Sequence, residues 1–228
     1  MKRNVIVALG VLATFSAVMG VTADVFSAWS PNESEMNTAF SVDLDSIRSF
    51  YDDKPRWTFI LGNYFGVYFI PLHILGFFLV YHALKPANKN FALALFALSV
   101  YATTIGVGLH GTLAFVGDIL QSGNAALIEG MKDYWQPWAY SLVVLYSIVS
   151  VMILVLIITG RSLYPRWAAF VSPIAIVVMT VFVIAILPNS TAGVRSFLSI
   201  SGLNLPLVIF FAITTWVLAR HKKLEISL

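Results

Sequence analysis

The chain has 228 residues, of which 59% are hydrophobic and only 11% are Asp, Glu, Lys or Arg. Soluble domains carry about 25% charged residues, so this chain has too little polar surface to coat a soluble globule. The absence of cysteine excludes disulfides, thiolate metal sites and cysteine nucleophiles. The net charge of +3 is small, and no basic cluster is interleaved with aromatic residues, which argues against a nucleic-acid partner.

Six apolar stretches predict an all-α, polytopic membrane protein, a bundle of six transmembrane helices. Their approximate bounds are 5–23, 57–84, 91–117, 138–160, 167–187 and 197–219. Because no internal repeat or low-complexity linker interrupts the pattern, residues 1–228 are predicted to form a single integral membrane domain. The longest connection, 24–56, is polar, and its segment 41–53 favours a short surface helix. A second polar segment, 118–137, contains a mildly helical stretch at 126–135.

Lysine and arginine counts predict the orientation in the membrane. One set of loops and ends holds nine of these residues: Lys2, Arg3, Lys85, Lys89, Arg161, Arg166, Arg220, Lys222 and Lys223. The opposite set holds five: Arg48, Lys54, Arg56, Lys132 and Arg195. The excess predicts an inner-membrane protein with both termini in the cytoplasm.

The first span also resembles a signal peptide. A basic start, an apolar run and the small residues Val21-Thr22-Ala23 fit a cleavage site. The run 5–23 is long for such a segment and ends in Asp24, so we favour a retained first span.

His110 is the most informative residue, because an ionisable group inside a membrane helix is costly and marks a functional-site hypothesis. Counted at 1.5 Å per residue, it lies about 10 Å below the outer end of the third span. Asn63 and Asn204 fall at about 9 and 10 Å in the second and sixth spans. The three side chains are therefore predicted to share one layer of the outer leaflet. Asp24 and Asp118 are expected above it, at the outer ends of spans one and three.

The sixth span is predicted to break near Pro206. From Pro206 to Ala219 a helix covers only about 21 Å, so the polar stretch 199–206 must enter the membrane. Proline lacks an N–H group and crowds the carbonyl of Gly202, which predicts a kink or an unwound turn. A packing kink beside the loop is the alternative to a functional break.

Glycine-rich stripes predict how spans two and three pack. Gly62 and Gly66 form a GxxxG pair, and Gly106 lies on the same stripe as His110. Direct packing of these stripes would place His110 near Asn63. If His110 only holds neighbouring helices together, it would hydrogen-bond to Asn63, Tyr64 or Tyr101.

His73 is a second candidate. It follows Pro71 by two residues, and Pro71 leaves a carbonyl of the preceding turn without its N–H donor. In a purely structural role, His73 would be a core histidine that bonds to this carbonyl or to a hydroxyl. Its predicted depth is about 24 Å, roughly 14 Å from that of His110, which disfavours a haem clamped by both histidines. No HxxxH or HExxH pair and no acid inside a predicted span supports a zinc hydrolase or a proton relay, and we predict no metal site.

The layout resembles an uncharacterised family of small bacterial multispan membrane proteins. The resemblance rests on the Ala23-Asp24 pair, the glycine-rich second span and the Gly106–Gly111 segment, and covers about 5–117. The family implies no activity, so nothing functional follows from it.

The leading hypothesis is a non-enzymatic protein that binds a lipid or other small amphipathic molecule in an outer-leaflet pocket. The candidate pocket residues are His110, Asn63, Tyr64, Asn204, Ser201, Asp24 and Asp118, with His73 as the second candidate. The alternatives are an intramembrane enzyme acting on a lipid or isoprenoid, using His110 with Asp118 or Asp24, and a structural subunit of a membrane complex. The sequence identifies no catalytic residue and no cofactor. The expected partners are the bilayer, an amphipathic ligand and a membrane protein or second copy.

Overall fold

The computed structural model describes residues 2–31, 48, 51 and 54–221. Within these residues the chain is all-α, and no strand occurs among them. The helices are α1 (Arg3–Ala28), α2 (Arg56–Phe69), α3 (His73–Leu84), α4 (Lys89–Ser122), α5 (Ala125–Ile158), α6 (Pro173–Ile186), α7 (Ala192–Ile200) and α8 (Asn204–Arg220). Short 3-10 turns at Ile70–Leu72, Arg166–Val171 and Asn189–Thr191 precede α3, α6 and α7. The surface helix predicted at 41–53 falls largely outside the described residues.

Four stretches are long and apolar enough to cross a membrane: Arg3–Ala28, Arg56–Leu84, Lys89–Ser122 and Ala125–Ile158. A fifth arises if the bent pair formed by Asn189–Ile200 and α8 counts as one span. α6 has 14 residues and covers about 21 Å, less than the roughly 30 Å hydrocarbon core. The described chain therefore contains four to five helices that could cross a membrane.

The helices α4 and α5 run beyond the ends predicted from hydropathy. Each has 34 residues, about 51 Å, enough to cross both the core and the headgroup layers. Gly123 separates them with φ +64°, the left-handed region that glycine enters without strain, and Asn124 caps the start of α5. The polar segment 118–137 thus belongs almost entirely to the two helices.

The predicted break in the last span is confirmed. α7 and α8 meet at an angle of 61° across 201–203. Pro206 stands in the first turn of α8, where its missing N–H group removes no bond from the new helix. The break therefore sets Asn204 as the first residue of α8, at membrane depth.

α1 is central, and it packs along both α8 and α2. Its glycines allow this approach: a Cβ at Gly10 would overlap the Thr215 side chain on α8. One hydrophobic core around Phe210 and Leu79 and a second around Phe59 and Leu120 fill the bundle. Asp24, His110 and Asn204 form a polar layer within it.

Candidate functional site

Asp24 is the centre of the polar layer. α1 continues for one turn beyond it to Ala28, and its side chain is only 12% exposed. The expectation that Asp24 caps the outer end of the first span is therefore wrong, because the helix does not stop where the apolar run stops. An acidic side chain lies inside a membrane-compatible helix after all.

Three helices meet at this carboxylate. Nδ2 of Asn204 on α8 donates to Oδ2 of Asp24 at 2.9 Å. Nε2 of His110 on α4 lies 3.5 Å from Oδ1 of Asp24. Asn204 begins α8, so the carboxylate lies at the N-terminal end of that helix. The layer predicted for Asn204 and His110 is thus assembled around an acid from α1.

The carboxylate opens onto a cavity of about 100 Å³. Besides Asp24, His110 and Asn204, its polar lining consists of His73, Ser99, Thr103 and Tyr146. The hydroxyls of Ser99 and Thr103 donate to carbonyls of their own helix. In the described part of the chain, Nδ1 of His110 and Nε2 of His73 are buried without a hydrogen-bond partner. Both nitrogens are closed off from the cavity, and Nδ1 of His110 packs against Gly66.

His73 and His110 line the same cavity at different depths. His110 packs level with Gly66, seven residues before His73, which corresponds to about 10 Å along the helix. The expectation that the two histidines belong to separate places is wrong, because both line one cavity. His73 also bonds to the backbone of Ser16 on α1, so its partner is a carbonyl on another helix.

Glycines on neighbouring helices hold the polar side chains in place. A Cβ at Gly66 on α2 would overlap the ring of His110, and a Cβ at Gly20 on α1 would lie 2.7 Å from the amide carbon of Asn204. Asn63, with its amide nitrogen facing α4, donates to the carbonyls of His110 and Gly111 at 2.7 and 2.9 Å. Asn63 therefore contacts the backbone behind His110 and does not line the cavity.

Two residues before α2, Tyr51 and Lys54, lie near the end of α1. Nζ of Lys54 donates to the carbonyls of Val25 and Trp29 at 3.1 and 2.8 Å, which caps the end of α1. Desolvation lowers the pKa of Lys54 to about 8. Tyr51 is 1% exposed, and burial, with a smaller contribution from the charge of Asp24, raises the pKa of its phenol.

The remaining predicted pocket residues lie elsewhere. Tyr64 is 53% exposed and Tyr101 is 58% exposed on the outside of the bundle, so neither is placed to bond His110. Asp118 lies one turn before the end of α4 and pairs with Arg56 through two bonds of 2.7 and 2.9 Å. Ser201 is buried in the break between α7 and α8 but does not line the cavity. Asp118 is thus an interfacial ion pair and not part of the site.

Metal ligands do not converge at the described residues. Among them, no group of three or more His, Asp or Glu side chains is arranged to hold a metal ion.

Sequence reasoning missed Tyr146 and Ser99. Ser99 precedes Thr103 and Gly106 on one face of α4, so the stripe containing His110 could have been extended to it. Tyr146 lies on α5, whose apolar residues surround the helix with little asymmetry, and no sequence signal distinguishes its face.

The chain belongs to a family of unknown function, DUF6796, whose model matches residues 1–221. The match extends well past the 5–117 on which the resemblance rested. No curated protein and no solved structure matches the chain.

Gly66→Ala is expected to destabilise the protein, because the new methyl group would displace the His110 ring. Overpacking of a core costs about 1–3 kcal/mol, more than the roughly 0.5–1 kcal/mol that alanine gains over glycine in a helix. Gly111→Ala is the matched control, since its Cβ would lie 3.5 Å from Val67, an ordinary contact. Melting temperatures in detergent measure both. Equal melting temperatures for the two variants would contradict the close packing of His110 on Gly66.

The Lys54 contact predicts a pH dependence of stability. The unfolded chain protonates Lys54 near pH 10.4, whereas the folded protein does so near pH 8. Between these values the unfolded state binds more protons, so the contribution of Lys54 to stability rises with pH, and below pH 8 it stays constant. Wild type should therefore gain stability relative to Lys54→Met from pH 8 to pH 10. Lys89→Met, which removes an exposed lysine, is the control, and a flat difference for Lys54→Met refutes the prediction.

Proposed function

We propose that this member of the family is an inner-membrane protein that binds a small polar molecule in the cavity beside Asp24 and His110. The observation that carries the proposal is that the carboxylate of Asp24, the amide of Asn204 and two histidine side chains line one cavity.

The size of the cavity supports a small ligand over a lipid. A volume of about 100 Å³ corresponds to about three water molecules, each with a share of about 30 Å³. Pockets for larger organic ligands measure about 300–1,000 Å³. This weighs against a lipid or isoprenoid substrate and hence against the intramembrane enzyme. It narrows the amphipathic ligand expected from the sequence to a molecule of a few atoms.

The polar groups around Asp24 are also more than helix–helix glue requires. His110 needs one partner to be satisfied as a structural residue, and Asp24 provides it through Nε2. The side chains of His73, Ser99 and Tyr146 also line the cavity. A purely structural role does not require these polar side chains to converge on one cavity, whereas a binding site does.

The ligand proposal predicts saturable stabilisation by small polar compounds. Purified protein in detergent is screened by melting temperature against polar compounds of a few heavy atoms, the size that the cavity volume indicates. A compound at 100 times its Kd should stabilise the protein by about 2.7 kcal/mol.

Gly106→Leu is the blocking variant, because Gly106 lines the cavity and its nearest neighbour, Leu142, lies 3.8 Å from an added Cβ. Gly130→Leu is the control, since nothing lies within 4 Å of its Cβ. Compounds that stabilise Gly130→Leu but not Gly106→Leu support the site. If no compound distinguishes the two variants, the binding function is refuted. A partner that co-purifies in equal amounts would then favour the structural subunit.

The orientation proposal, with both termini in the cytoplasm, rests on the nine-to-five excess of Lys and Arg. The chain has no cysteine, so single cysteines report topology directly. Gly130→Cys, in the first turns of α5, should react with an impermeant maleimide added to intact cells. Asn88→Cys, at the start of α4, should react only after the membrane is opened. The reverse pattern would overturn the orientation.

A further inference from the structure

A groove separate from the cavity lies between the start of α4 and the end of α5. Its apolar wall is formed by Phe91 on α4 and by Val155 and Leu156 on α5, and its volume is about 580 Å³. Pockets for organic ligands measure about 300–1,000 Å³. This groove, called the Arg161 groove after the cation at its polar end, therefore admits a much larger molecule than the cavity beside Asp24.

The polar end of the Arg161 groove consists of Asn88, Thr159 and Arg161. Asn88 caps the start of α4 by accepting from the N–H group of Phe91, and helix N-termini favour anions. Arg161 is exposed, and within the described residues it has no hydrogen bond or ion pair. Its guanidinium is therefore available to an anion that enters the groove.

The backbone next to Arg161 is fixed to the bundle. The N–H group of Leu163 donates to the carbonyl of Ala83 on α3 at 2.9 Å. The buried hydroxyl of Tyr164 shares a hydrogen bond of 2.6 Å with that of Thr214 on α8. A site whose backbone is already ordered loses less conformational entropy on binding, so these two contacts favour binding at Arg161.

The end of the bundle around the Arg161 groove is positively charged. The guanidinium of Arg166 lies beside Gly160, where an added Cβ would be 3.2 Å from Nε. Lys85 and Lys89 lie on either side of the turn between α3 and α4. The acidic residues of the described chain lie toward the opposite ends of α1, α4 and α5: Asp24, Asp118, Glu129 and Asp133. No described acid therefore offsets this charge, which complements an anionic occupant.

An exposed apolar face continues from the groove along α5. Its members recur at steps of three and four residues: Val144, Ile148, Val151, Val155 and Ile158. From Val144 to Val155 the face covers about 17 Å, close to half of the roughly 30 Å hydrocarbon core. The face thus extends through about one leaflet, and the cations stand at its end.

We propose that the Arg161 groove binds a phospholipid with a net negative charge, such as phosphatidylglycerol, from the adjacent leaflet. The lipid phosphate pairs with the guanidinium of Arg161 at the start of α4, a pairing for which the planar guanidinium is suited. The acyl chains lie along Phe91 and the exposed face of α5. Basic pockets between membrane helices recognise anionic headgroups in this way. The site is independent of the ligand proposed for the cavity.

General attraction of the basic end to an anionic membrane predicts a different pattern. In that case each Lys or Arg near the surface contributes about fivefold to the affinity for anionic lipid, wherever it lies. In the Arg161 groove, Arg161 contributes more than an exposed arginine outside it. Arg220 is that arginine, because it lies at the same end of the bundle, at the end of α8, and stacks on Trp216 at 4.3 Å.

The test uses the full chain purified in an uncharged detergent. Phosphatidylglycerol or phosphatidylcholine with identical acyl chains is titrated in, and native mass spectrometry counts the phospholipids bound. Phosphatidylglycerol should bind saturably, at one molecule per chain, and more tightly than phosphatidylcholine, whose choline brings a further cation to Arg161. Arg161→Gln should lower the affinity for phosphatidylglycerol by about ten- to a hundredfold, as for a lost hydrogen-bonded charge, whereas Arg220→Gln should lower it by about fivefold or less.

A steric variant tests the groove without removing a charge. Val155→Trp fills the groove, and because Val155 is exposed, the larger side chain does not overpack a core. It should abolish the saturable binding even if Arg161→Gln does not fold. Val178→Trp, at an exposed position on α6, is the matched control and should bind as wild type does. Melting temperatures report whether each variant is folded.

Equal losses in Arg161→Gln and Arg220→Gln would overturn the site in favour of general attraction to anionic lipid. Equal affinities for the two lipids, or unchanged phosphatidylglycerol binding in Val155→Trp, would also contradict it. Glycerol phosphate, the soluble part of the headgroup, should not displace the lipid at an equal concentration. If it does, the groove binds a free phosphate and the lipid proposal is wrong.

Discussion

The compensation of one buried carboxylate is the constraint on which the polar layer depends. Asp24 is 12% exposed within a helix that is compatible with a membrane, where an isolated charge is very unfavourable. The amide of Asn204, the imidazole of His110 and the N-terminal end of α8 lie around this carboxylate. These groups come from three helices, so the carboxylate fixes the relative positions of α1, α4 and α8. Asp24 also lines the cavity, so the same residue contributes to the stability of the bundle and to its candidate function.

Glycine makes this arrangement sterically accessible. Between apolar helices in a bilayer there is little hydrophobic driving force, and close backbone approach provides much of the association free energy. Gly20 leaves the space for Asn204, and Gly66 leaves the space for His110. The two glycines of the GxxxG pair on α2 contact different helices: Gly62 packs on Ser27 of α1, and Gly66 packs on His110 of α4. The small residues of α2 thus position a polar side chain as well as a helix.

The sequence predicts how far along its helix a residue lies, but it does not predict which way the side chain points around the helix axis. Counting residues placed Asn204 and His110 in one layer and predicted the break before Pro206. Asp24 was assigned to the surface because the hydropathy pattern changes there, although packing continues the helix for another turn. Tyr64, next to Asn63 in the sequence, is predicted to line the pocket. Neighbouring residues on a helix point about 100° apart, however, and Tyr64 faces outward. The contribution of Tyr146 depends on how α5 is rotated, which only tertiary packing decides.

The order of synthesis gives the pairing of Asp24 with Asn204 a further consequence. The two residues are separated by 180 positions, and residues 29 and 30 likewise bond to α7 across 164 and 166 positions. At about 5–20 residues per second, Asn204 emerges about 10–40 s after Asp24. During that interval the carboxylate of the nascent first helix has no amide partner. The polar layer therefore reaches its final arrangement only after α8 has been synthesised.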